Sequence, residues 1–299
     1  MKKSVSLLLA GLMLCGALAG CGGNNNTAEN TDSQTEQTSE STGTSGAIHV
    51  VSREDGSGTR GAFVELTGVE DDNGDNTTVD AEIANRTDAV LTTVAGNEAA
   101  IGYVSLGSLN DTVKAVTVDG VEATVDNVKS GTYTLSRPFN IATKGEPTGV
   151  AEDFINFILS ADGQAIVEEE NYIKVDDAAP AFTSDGSYGQ IAVGGSSSVS
   201  PVMEKLIEAY EAVNPNAQID LQTSDSTSGM TGAMDGTFAI GMASRELKDE
   251  EAAQLTGTAI ALDGIAVIVN TANTVENLTM DQIRSIYVGE TTDWSEVAE

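Results

Sequence analysis

The chain has 299 residues, and its 46 acidic side chains against 14 basic ones give a formal net charge of −32 at pH 7. A negative field of this size argues against nucleic acid as a partner. One histidine and two cysteines leave little material for Ser–His or Cys–His catalysis and none for a His/Cys zinc site, so we predict a protein that is not an enzyme and that holds no metal or cofactor.

The chain begins like an exported protein. Lys2 and Lys3 precede an apolar run over residues 5–14, and Leu-Ala-Gly-Cys follows at residues 18–21, which is the pattern of a secretory signal. The apolar run is short for a membrane span. We predict a signal peptide over residues 1–20, of the lipoprotein kind with Cys21 as the lipidated residue. An ordinary signal peptide followed by a chance Cys21 is the alternative. Residues 21–46 are polar and are predicted to be a flexible tether.

The first globular element leads into a loop rich in glycine and hydroxyl groups. Residues 52–60 read Ser-Arg-Glu-Asp-Gly-Ser-Gly-Thr-Arg, and residues 194–201 repeat the theme as Gly-Gly-Ser-Ser-Ser-Val-Ser-Pro. Each loop runs into a helical pattern, where backbone N–H groups, hydroxyls and the helix dipole favour an anion. Arg53 adds a planar charged fork. An ordinary turn with a helix cap could account for either loop alone, but the two loops together favour an anion site.

Strand and helix patterns alternate through the rest of the chain. Short β-rich runs occur at residues 48–51, 115–118, 191–193, 219–221 and 265–269, and helical spacing occurs at residues 150–159 and 201–213. Ser160 is predicted to cap a further short helix, and Ser200 to cap the helix that starts at Pro201. The alternation predicts α/β lobes with largely parallel sheets, whose ligands lie beyond the carboxyl ends of the strands.

Two later segments extend the pattern. Residues 223–229 form a third hydroxyl-rich loop before a predicted helix through residues 230–234, and residues 240–245 are a short apolar strand ending at Ser244 and Arg245. Helix capping is the alternative role for Thr227 and Ser228, and a surface salt bridge is the alternative for Arg245.

Several of these segments together resemble the phosphate-binding protein of bacterial Pst-type ABC transporters in its Gram-positive lipoprotein form. The resemblance rests on the loops above and on residues 135–138, 154–164, 241–247, 261–270, 277–283 and 286–289 with Trp294. It covers nearly everything after residue 46. Leu-Ala-Gly-Cys also resembles the lipobox of bacterial lipoproteins, in which the cysteine carries the lipid.

The order of the segments differs from the usual order in that family. The part like residues 191–299 normally comes first, and the part like residues 47–182 follows. The chain therefore resembles a circular permutant, with residues 176–190 as the linker between the old ends. A fragment of a tandem array is the alternative.

The resemblance implies a type II periplasmic-binding-protein-like α/β fold with two lobes and a ligand cleft between them. Residues 47–135 with 259–299 would form one lobe and residues 136–258 the other, joined by crossing strands near residues 135–141 and 258–265. One dehydrated phosphate would lie in the cleft, and the closed form would deliver it to the ABC permease. By the same resemblance, the candidate ligand-binding residues are Arg53, Ser57, Gly58, Thr59, Ser197, Ser198, Val199, Thr227, Ser228 and Arg245.

One of these positions departs from the pattern of some relatives. Arg245 stands where they have an aspartate that accepts the proton of hydrogen phosphate and so rejects sulfate. Asp55 or Asp225 could take over that role. Sulfate and molybdate therefore stay open as ligands beside phosphate.

Two other function classes share these residues. An anion-binding sensor or adhesion lipoprotein needs the same site without a permease. A phosphate-ester hydrolase needs a nucleophile with a base or metal, and Ser57 and Asp55 lack a histidine partner. The resulting expectation is a lipid-anchored monomer on the outer face of the cytoplasmic membrane, bound to phosphate and to permease subunits.

Overall fold

The computed structural model describes residues 44–297. The predicted signal peptide, Cys21 and nearly all of the predicted tether lie outside these residues. Within them no helix combines the length and the apolar character that a membrane crossing requires.

Most strands are short and belong to one mixed sheet. The strands are β1 (His49–Arg53), β2 (Glu70–Asp71), β3 (Gly74–Asp75), β4 (Glu82–Ala84), β5 (Ala100–Ser105), β6 (Val113–Ala115), β7 (Thr117–Val118), β8 (Ser136–Thr143), β9 (Ile173–Lys174), β10 (Gly189–Ser196), β11 (Ala217–Ser224), β12 (Ile240–Ala243), β13 (Thr256–Asn270) and β14 (Asn277–Leu278).

The helices follow the predicted strand–helix alternation. They are α1 (Gly58–Thr67), α2 (Thr87–Gly96), α3 (Val125–Lys129), α4 (Val150–Ile158), α5 (Ala161–Glu169), α6 (Ser200–Val213), α7 (Ser226–Asp235), α8 (Asp249–Ala252) and α9 (Met280–Tyr287), with 3₁₀ turns at Leu106–Ser108 and Trp294–Glu296.

The long strand β13 lies near the centre of the main sheet, whose order is β11-β10-β12-β8-β13-β5-β1-β4. Its residues 256–264 pair with β8 and its residues 265–269 pair with β5, both antiparallel. The flanks are parallel, as expected: β10 pairs with β11 and β12, and β1 pairs with β4 and β5. The centre is antiparallel, so the prediction of largely parallel sheets is wrong there.

Two large apolar cores lie along this sheet. One packs α4, α5 and α6 against β8, β10 and β11 and includes Phe154, Leu206 and Tyr210. The other packs α1 and α9 against β1, β5 and the second half of β13 and includes Phe63 and Trp294. We call them the α6 core and the α1 core. The burial of large aromatic side chains in each supplies the main stabilisation.

Helix starts agree with the sequence in one case and differ in another. Ser160 caps α5 by accepting a hydrogen bond from the N–H of Gly163, as predicted. Ser200, however, is the first residue of α6, and Val199 holds the capping position. The reason is a tight turn in which the N–H of Val199 donates to the carbonyl of Ser196 at 3.0 Å.

The two ends of the described chain run side by side. The N–H of Ile48 donates to the carbonyl of Thr292 at 2.8 Å, and the N–H of Trp294 donates to Gly46 at 3.0 Å. Ala47 and Asp293 form an antiparallel bridge. Residues 46–48 and 292–294 therefore lie together beside the α1 core.

The buried carboxylate of Asp153, in α4, accepts hydrogen bonds from the segment that precedes β10. Its carboxylate accepts from the hydroxyl of Ser184 at 2.7 Å, the N–H of Asp185 at 3.0 Å and the hydroxyl of Tyr210 at 2.9 Å. Asn214 also donates to it, at 3.4 Å. One carboxylate thus satisfies groups from α6 and from residues 184–185.

We expect Asp153→Ala to lower the free energy of unfolding by about 2 to 4 kcal/mol, because it leaves several donors without a buried acceptor. Urea unfolding measures the change. Asp176→Ala is the matched control, since that carboxylate is exposed and accepts from the N–H of Ala178, and its effect should stay within about 0.5 kcal/mol. Equal losses in the two variants would contradict the role assigned to Asp153.

Candidate functional site

The end of β1 directs a buried arginine toward the α6 core. Only 2% of Arg53 is exposed. Its Nε and Nη2 atoms donate to the two carboxylate oxygens of Glu54 at 2.7 and 2.8 Å. The same Nη2 atom donates to the hydroxyl of Ser197 at 3.0 Å. The guanidinium of Arg53 is thus fixed by Glu54 and points at a hydroxyl from the turn before α6.

The next turn brings α1 close to the start of α7. Gly56 has a φ of +89°, in the left-handed region that favours glycine. A Cβ atom at Gly58 would lie 2.4 Å from the hydroxyl of Ser226 and 2.8 Å from that of Ser244. Glycine is therefore required at residue 58 for this close approach. Ser57 caps α1, where its side chain accepts from the N–H of Arg60.

Five hydroxyl groups gather beside Arg53, and we call them the hydroxyl cluster. They belong to Thr59, Thr87, Ser197, Ser198 and Ser244, all buried. Thr59 Oγ1 lies 2.8 Å from Ser198 Oγ and 3.3 Å from Ser244 Oγ. Thr87 Oγ1 lies 3.3 Å from Ser197 Oγ and 3.2 Å from Ser198 Oγ.

The hydroxyl cluster can present donors to an oxyanion. Each hydroxyl carries one proton and can exchange a neighbouring hydroxyl for a ligand oxygen as its acceptor. Burial strengthens such hydrogen bonds, because water competes less. A charged donor, Arg53, stands at the edge of the same cluster. This arrangement suits a small anion with several oxygens.

Two members of the hydroxyl cluster are missing from the sequence prediction. The sequence marks Ser244 only as a strand end. In the structure its hydroxyl lies 3.3 Å from Thr59 Oγ1 and 3.0 Å from Ser196 Oγ. Thr87 starts α2, directly after β4, and Arg53 Nη1 donates to its hydroxyl at 3.4 Å. The rule that ligands lie beyond parallel strand ends would have found Thr87, because β4 pairs with β1 in parallel.

Other predicted residues form hydrogen bonds outside the cluster. The N–H and hydroxyl of Thr227 both donate to the carbonyl of Gly56, at 3.1 and 3.2 Å. Ser228 is exposed, and its N–H and hydroxyl donate to the carboxylate of Asp225 at 2.8 and 2.5 Å. The N–H of Val199 is used in its own turn. The structure thus brings Arg53, Thr59, Ser197 and Ser198 together, while Ser57, Gly58, Val199, Thr227 and Ser228 shape the surrounding turns.

Arg245 is held by a carboxylate. Its two Nη atoms donate to the two oxygens of Glu251 at 2.7 and 2.8 Å, and Nη2 also lies 3.3 Å from the hydroxyl of Thr227. Burial raises the pKa of Glu251, but the hydrogen bonds from Arg245 and from the N–H of Lys248 bring that pKa below its ordinary value. The ion pair is buried rather than on the surface.

The carboxylates considered as proton acceptors lie apart from the hydroxyl cluster. The side chain of Asp55 is 98% exposed and pairs with Arg60 at 3.0 Å. Asp225 caps α7. Glu54, which the sequence did not single out, is the carboxylate that contacts Arg53 directly.

A second buried arginine lies on the other side of the cluster. Arg137 of β8 forms an ion pair with Asp263 of β13 at 2.6 Å, and its Nη2 atom donates to Thr59 Oγ1 at 3.0 Å. Burial lowers the pKa of Arg137, and the charge of Asp263 opposes this. Burial raises the pKa of Asp263 to about 6, against the effect of Arg137.

A cavity of about 390 Å³ adjoins the hydroxyl cluster. Thr87 and Ser197 lie in its wall, with Leu91 of α2 on one side and Pro201 of α6 on the other. The cavity thus lies between α2 and α6. Among residues 44–297, no group of three or more His, Cys, Asp or Glu side chains is arranged to hold a metal ion.

Comparisons with known proteins place this chain in a family. The model of the PBP superfamily domain matches residues 17–162 and 180–299. Phosphate-binding protein PstS 2 of Streptococcus agalactiae serotype V is 47% identical over 305 residues, which cover 99% of each chain. Phosphate-binding protein PstS of Bacillus subtilis is 37% identical over 143 residues, which cover 46% of this chain and 45% of that protein.

A solved structure extends the likeness to the fold. The crystal structure of the phosphate-binding protein of a phosphate ABC transporter from Streptococcus pneumoniae has a TM-score of 0.69 and is 46% identical. The match covers 85% of this chain and 100% of that one.

The raised pKa of Asp263 predicts a pH dependence of stability. A carboxyl group that holds its proton more tightly when folded contributes less to the unfolding free energy as pH rises from about 4 through 6. Relative to Asp263→Asn, which does not titrate, the wild type should lose about 2 kcal/mol between pH 4 and 7. Urea unfolding of both proteins across this range measures the difference. The unfolding free energy of the wild type minus that of Asp263→Asn should fall as pH rises. A value that stays constant or increases with pH would contradict the raised pKa.

Proposed function

We propose that this chain, which belongs to the PBP superfamily, captures inorganic phosphate with Arg53 and the hydroxyl cluster and delivers it to an ABC permease. One observation carries the proposal: the guanidinium of Arg53, beside the α1 core, meets Ser197, beside the α6 core, at 3.0 Å. Four more hydroxyls converge on the same place. The relatives named as phosphate-binding proteins support the same ligand.

The charges on the chain favour a short-range mode of binding. A net charge of −32 repels phosphate at a distance, so affinity has to come from hydrogen bonds at contact. A guanidinium and several buried hydroxyls supply such bonds, because a phosphate dianion has acceptors on every oxygen. Arg53, Thr59, Ser197 and Ser198 are the residues we propose as direct ligands, together with Thr87 and Ser244.

The remaining predicted residues have supporting roles in this proposal. Ser57 and Gly58 set the start of α1, Val199 sets the turn before α6, and Thr227 ties that side to Gly56. Ser228 and Arg245 stay candidates whose present partners are Asp225 and Glu251. Binding of phosphate through them would require those bonds to be exchanged.

We also propose that residues 47–135 with 259–299 and residues 136–258 act as two lobes. The positions of the α1 core and the α6 core support this division, because the two cores share few elements. The hydroxyl cluster takes members from both sides, as a cleft site would. Lobes closing on phosphate would give the permease a surface that exists only in the loaded protein.

Selectivity is the second part of the proposal. With Arg245 engaged by Glu251, the carboxylate best placed to receive a phosphate proton is Glu54, next to Arg53. Sulfate and molybdate are the competing ligands. Neither brings a proton at neutral pH, so neither could donate a hydrogen bond to Glu54. The relatives are named as binding proteins, and the sole histidine, His49, lies 2.8 Å from Glu82 on β4. We therefore propose no catalysis.

We expect Arg53→Ala to weaken phosphate binding by about 2 to 4 kcal/mol, enough to abolish a measurable titration, because a charge-assisted fork is lost. Calorimetry of the mature domain with phosphate, sulfate and molybdate measures binding and selectivity together. Arg284→Ala, at a partly exposed arginine of α9, is the control and should bind as the wild type does. An unchanged dissociation constant in Arg53→Ala would remove Arg53 from the site.

We further propose that the protein is a monomeric lipoprotein on the outer face of the cytoplasmic membrane. The support is the sequence around Cys21, since a lipid chain supplies membrane affinity that the acidic domain lacks.

We expect Cys21→Ser to release the protein into the medium or to leave an uncleaved precursor. Cell fractionation with a blot against the domain reads the outcome. Cys15→Ser is the matched control, because that cysteine lies in the segment removed with the signal and its loss should leave anchoring unchanged. Wild-type protein found wholly in the soluble fraction would contradict the anchor.

We propose, finally, that the order of the two halves is a circular permutation of the usual one. The pairing of residues 46–48 with 292–294 supports it, because joinable ends have to be close. The Streptococcus agalactiae relative aligns over 99% of each chain, so it shares this order. The Bacillus subtilis relative aligns over less than half of each chain, as exchanged halves would. A tandem fragment is the competing explanation.

A rearranged chain tests the permutation. Residue 299 is joined to residue 47 by a short linker, and new ends are opened at Gly186, within the predicted linker of residues 176–190. Because loop closure depends weakly on length, the unfolding free energy should change by less than about 2 kcal/mol, and phosphate affinity should be retained. Calorimetry and urea unfolding measure both. Failure of the rearranged chain to fold would favour the tandem fragment.

A further inference from the structure

Arg137 connects the centre of the sheet to the hydroxyl cluster. Its side chain is 3% exposed, and each of its nitrogen atoms is engaged. Nε donates to the carbonyl of Ser244 at 3.2 Å, Nη1 donates to the carbonyl of Gly264 at 3.1 Å, and Nη2 donates to Thr59 Oγ1 at 3.0 Å. Asp263, fully buried, neutralises the charge from the side away from Thr59.

These bonds fix the direction in which Thr59 uses its proton. A guanidinium has donors and no acceptor, so Thr59 Oγ1 has to accept from Arg137. Its own proton is then free to point away from Arg137, toward Ser198 Oγ at 2.8 Å or Ser244 Oγ at 3.3 Å. The hydroxyl of Thr59 is thereby oriented as a donor into the cluster.

The orientation is firmly held because Arg137 itself has little freedom. It belongs to β8 and stands opposite Asp263 in the antiparallel register of β8 and β13. Its guanidinium lies 5.3 Å from the ring centre of Phe139. Two main-chain carbonyls accept hydrogen bonds from it, and the carboxylate of Asp263 lies 2.6 Å from Nη1 as an ion pair. A lysine at this position would keep the positive charge near Asp263 but could not make the same set of bonds.

We infer that Arg137 is a positioning residue for anion binding, which acts by holding the hydroxyl of Thr59 as a donor to the ligand. The inference rests on the proposed function, because it assumes that phosphate binds at the hydroxyl cluster. Arg137 does not contact the ligand. It makes Thr59 a stronger and correctly directed donor, through a charge-assisted hydrogen bond.

A double-mutant cycle separates this role from general stabilisation. Phosphate dissociation constants are measured by calorimetry for the wild type, Arg137→Lys, Thr59→Val and the double variant. Arg137→Lys retains the charge beside Asp263 and so keeps the buried pair. Thr59→Val removes the hydroxyl with little change of shape. Arg284→Lys is the control for arginine replacement, and thermal unfolding of every variant checks the fold.

We expect Arg137→Lys to weaken phosphate binding about tenfold when Thr59 is present, and less than twofold when residue 59 is valine. Equal losses in the two backgrounds, or no loss in the Thr59 background, would overturn the inference while the wild type still binds phosphate. A wild type that binds no phosphate would instead contradict the proposed function, and the inference would fall with it. Arg284→Lys should match the wild type throughout.

Should Arg137→Lys lower the melting temperature so far that binding is not measurable, Thr59→Ser is compared with Thr59→Val in place of the cycle. Serine keeps a hydroxyl that Arg137 can hold, so phosphate affinity should stay within about threefold of the wild type. A loss in Thr59→Ser as large as that in Thr59→Val would overturn the role of the directed hydroxyl.

Discussion

The antiparallel pairing of β13 with β8 is the constraint on which the rest of the structure depends. One strand of 15 residues pairs with β8 along its first part and with β5 along its second. The parallel flanks are attached on either side, so their strand ends converge from opposite directions. The loops after β1 and β10 meet for this reason, and the ion pair of Arg137 with Asp263 lies where the two flanks join.

Local sequence predicts much of the secondary structure and less of its arrangement. Ser160 and the apolar spacing of α6 carry their information within a few residues, and both predictions are confirmed. The start of α6 was predicted one position late because the turn at residues 196–199 is held by a main-chain bond that any side chain permits. The antiparallel centre was missed because strand direction depends on partners more than 100 residues away, as for β8 and β13.

Local sequence likewise predicts some residues of the candidate site and misses others. Glycine-rich loops, whose composition predicts an anion site, carry Arg53, Thr59, Ser197 and Ser198. The structure brings these four residues together. Thr87 and Arg137 have no such composition around them, and they reach the hydroxyl cluster only through sheet order. Ser228 shows the reverse case: its hydroxyl is used locally by Asp225, so a hydroxyl-rich segment contributes a helix cap. Whether the full predicted set binds a ligand stays a prediction.

The glycine at residue 58 has a consequence for the rates of binding. Because residue 58 has no side chain, the start of α1 packs directly against Ser226 and Ser244, without a gap between the two surfaces. In the proposed site, an anion bonded to both surfaces would leave only when several short bonds lengthen in the same event. Differences in affinity among variants of this site should therefore appear as changes in the residence time of the anion, with the association rate nearly constant.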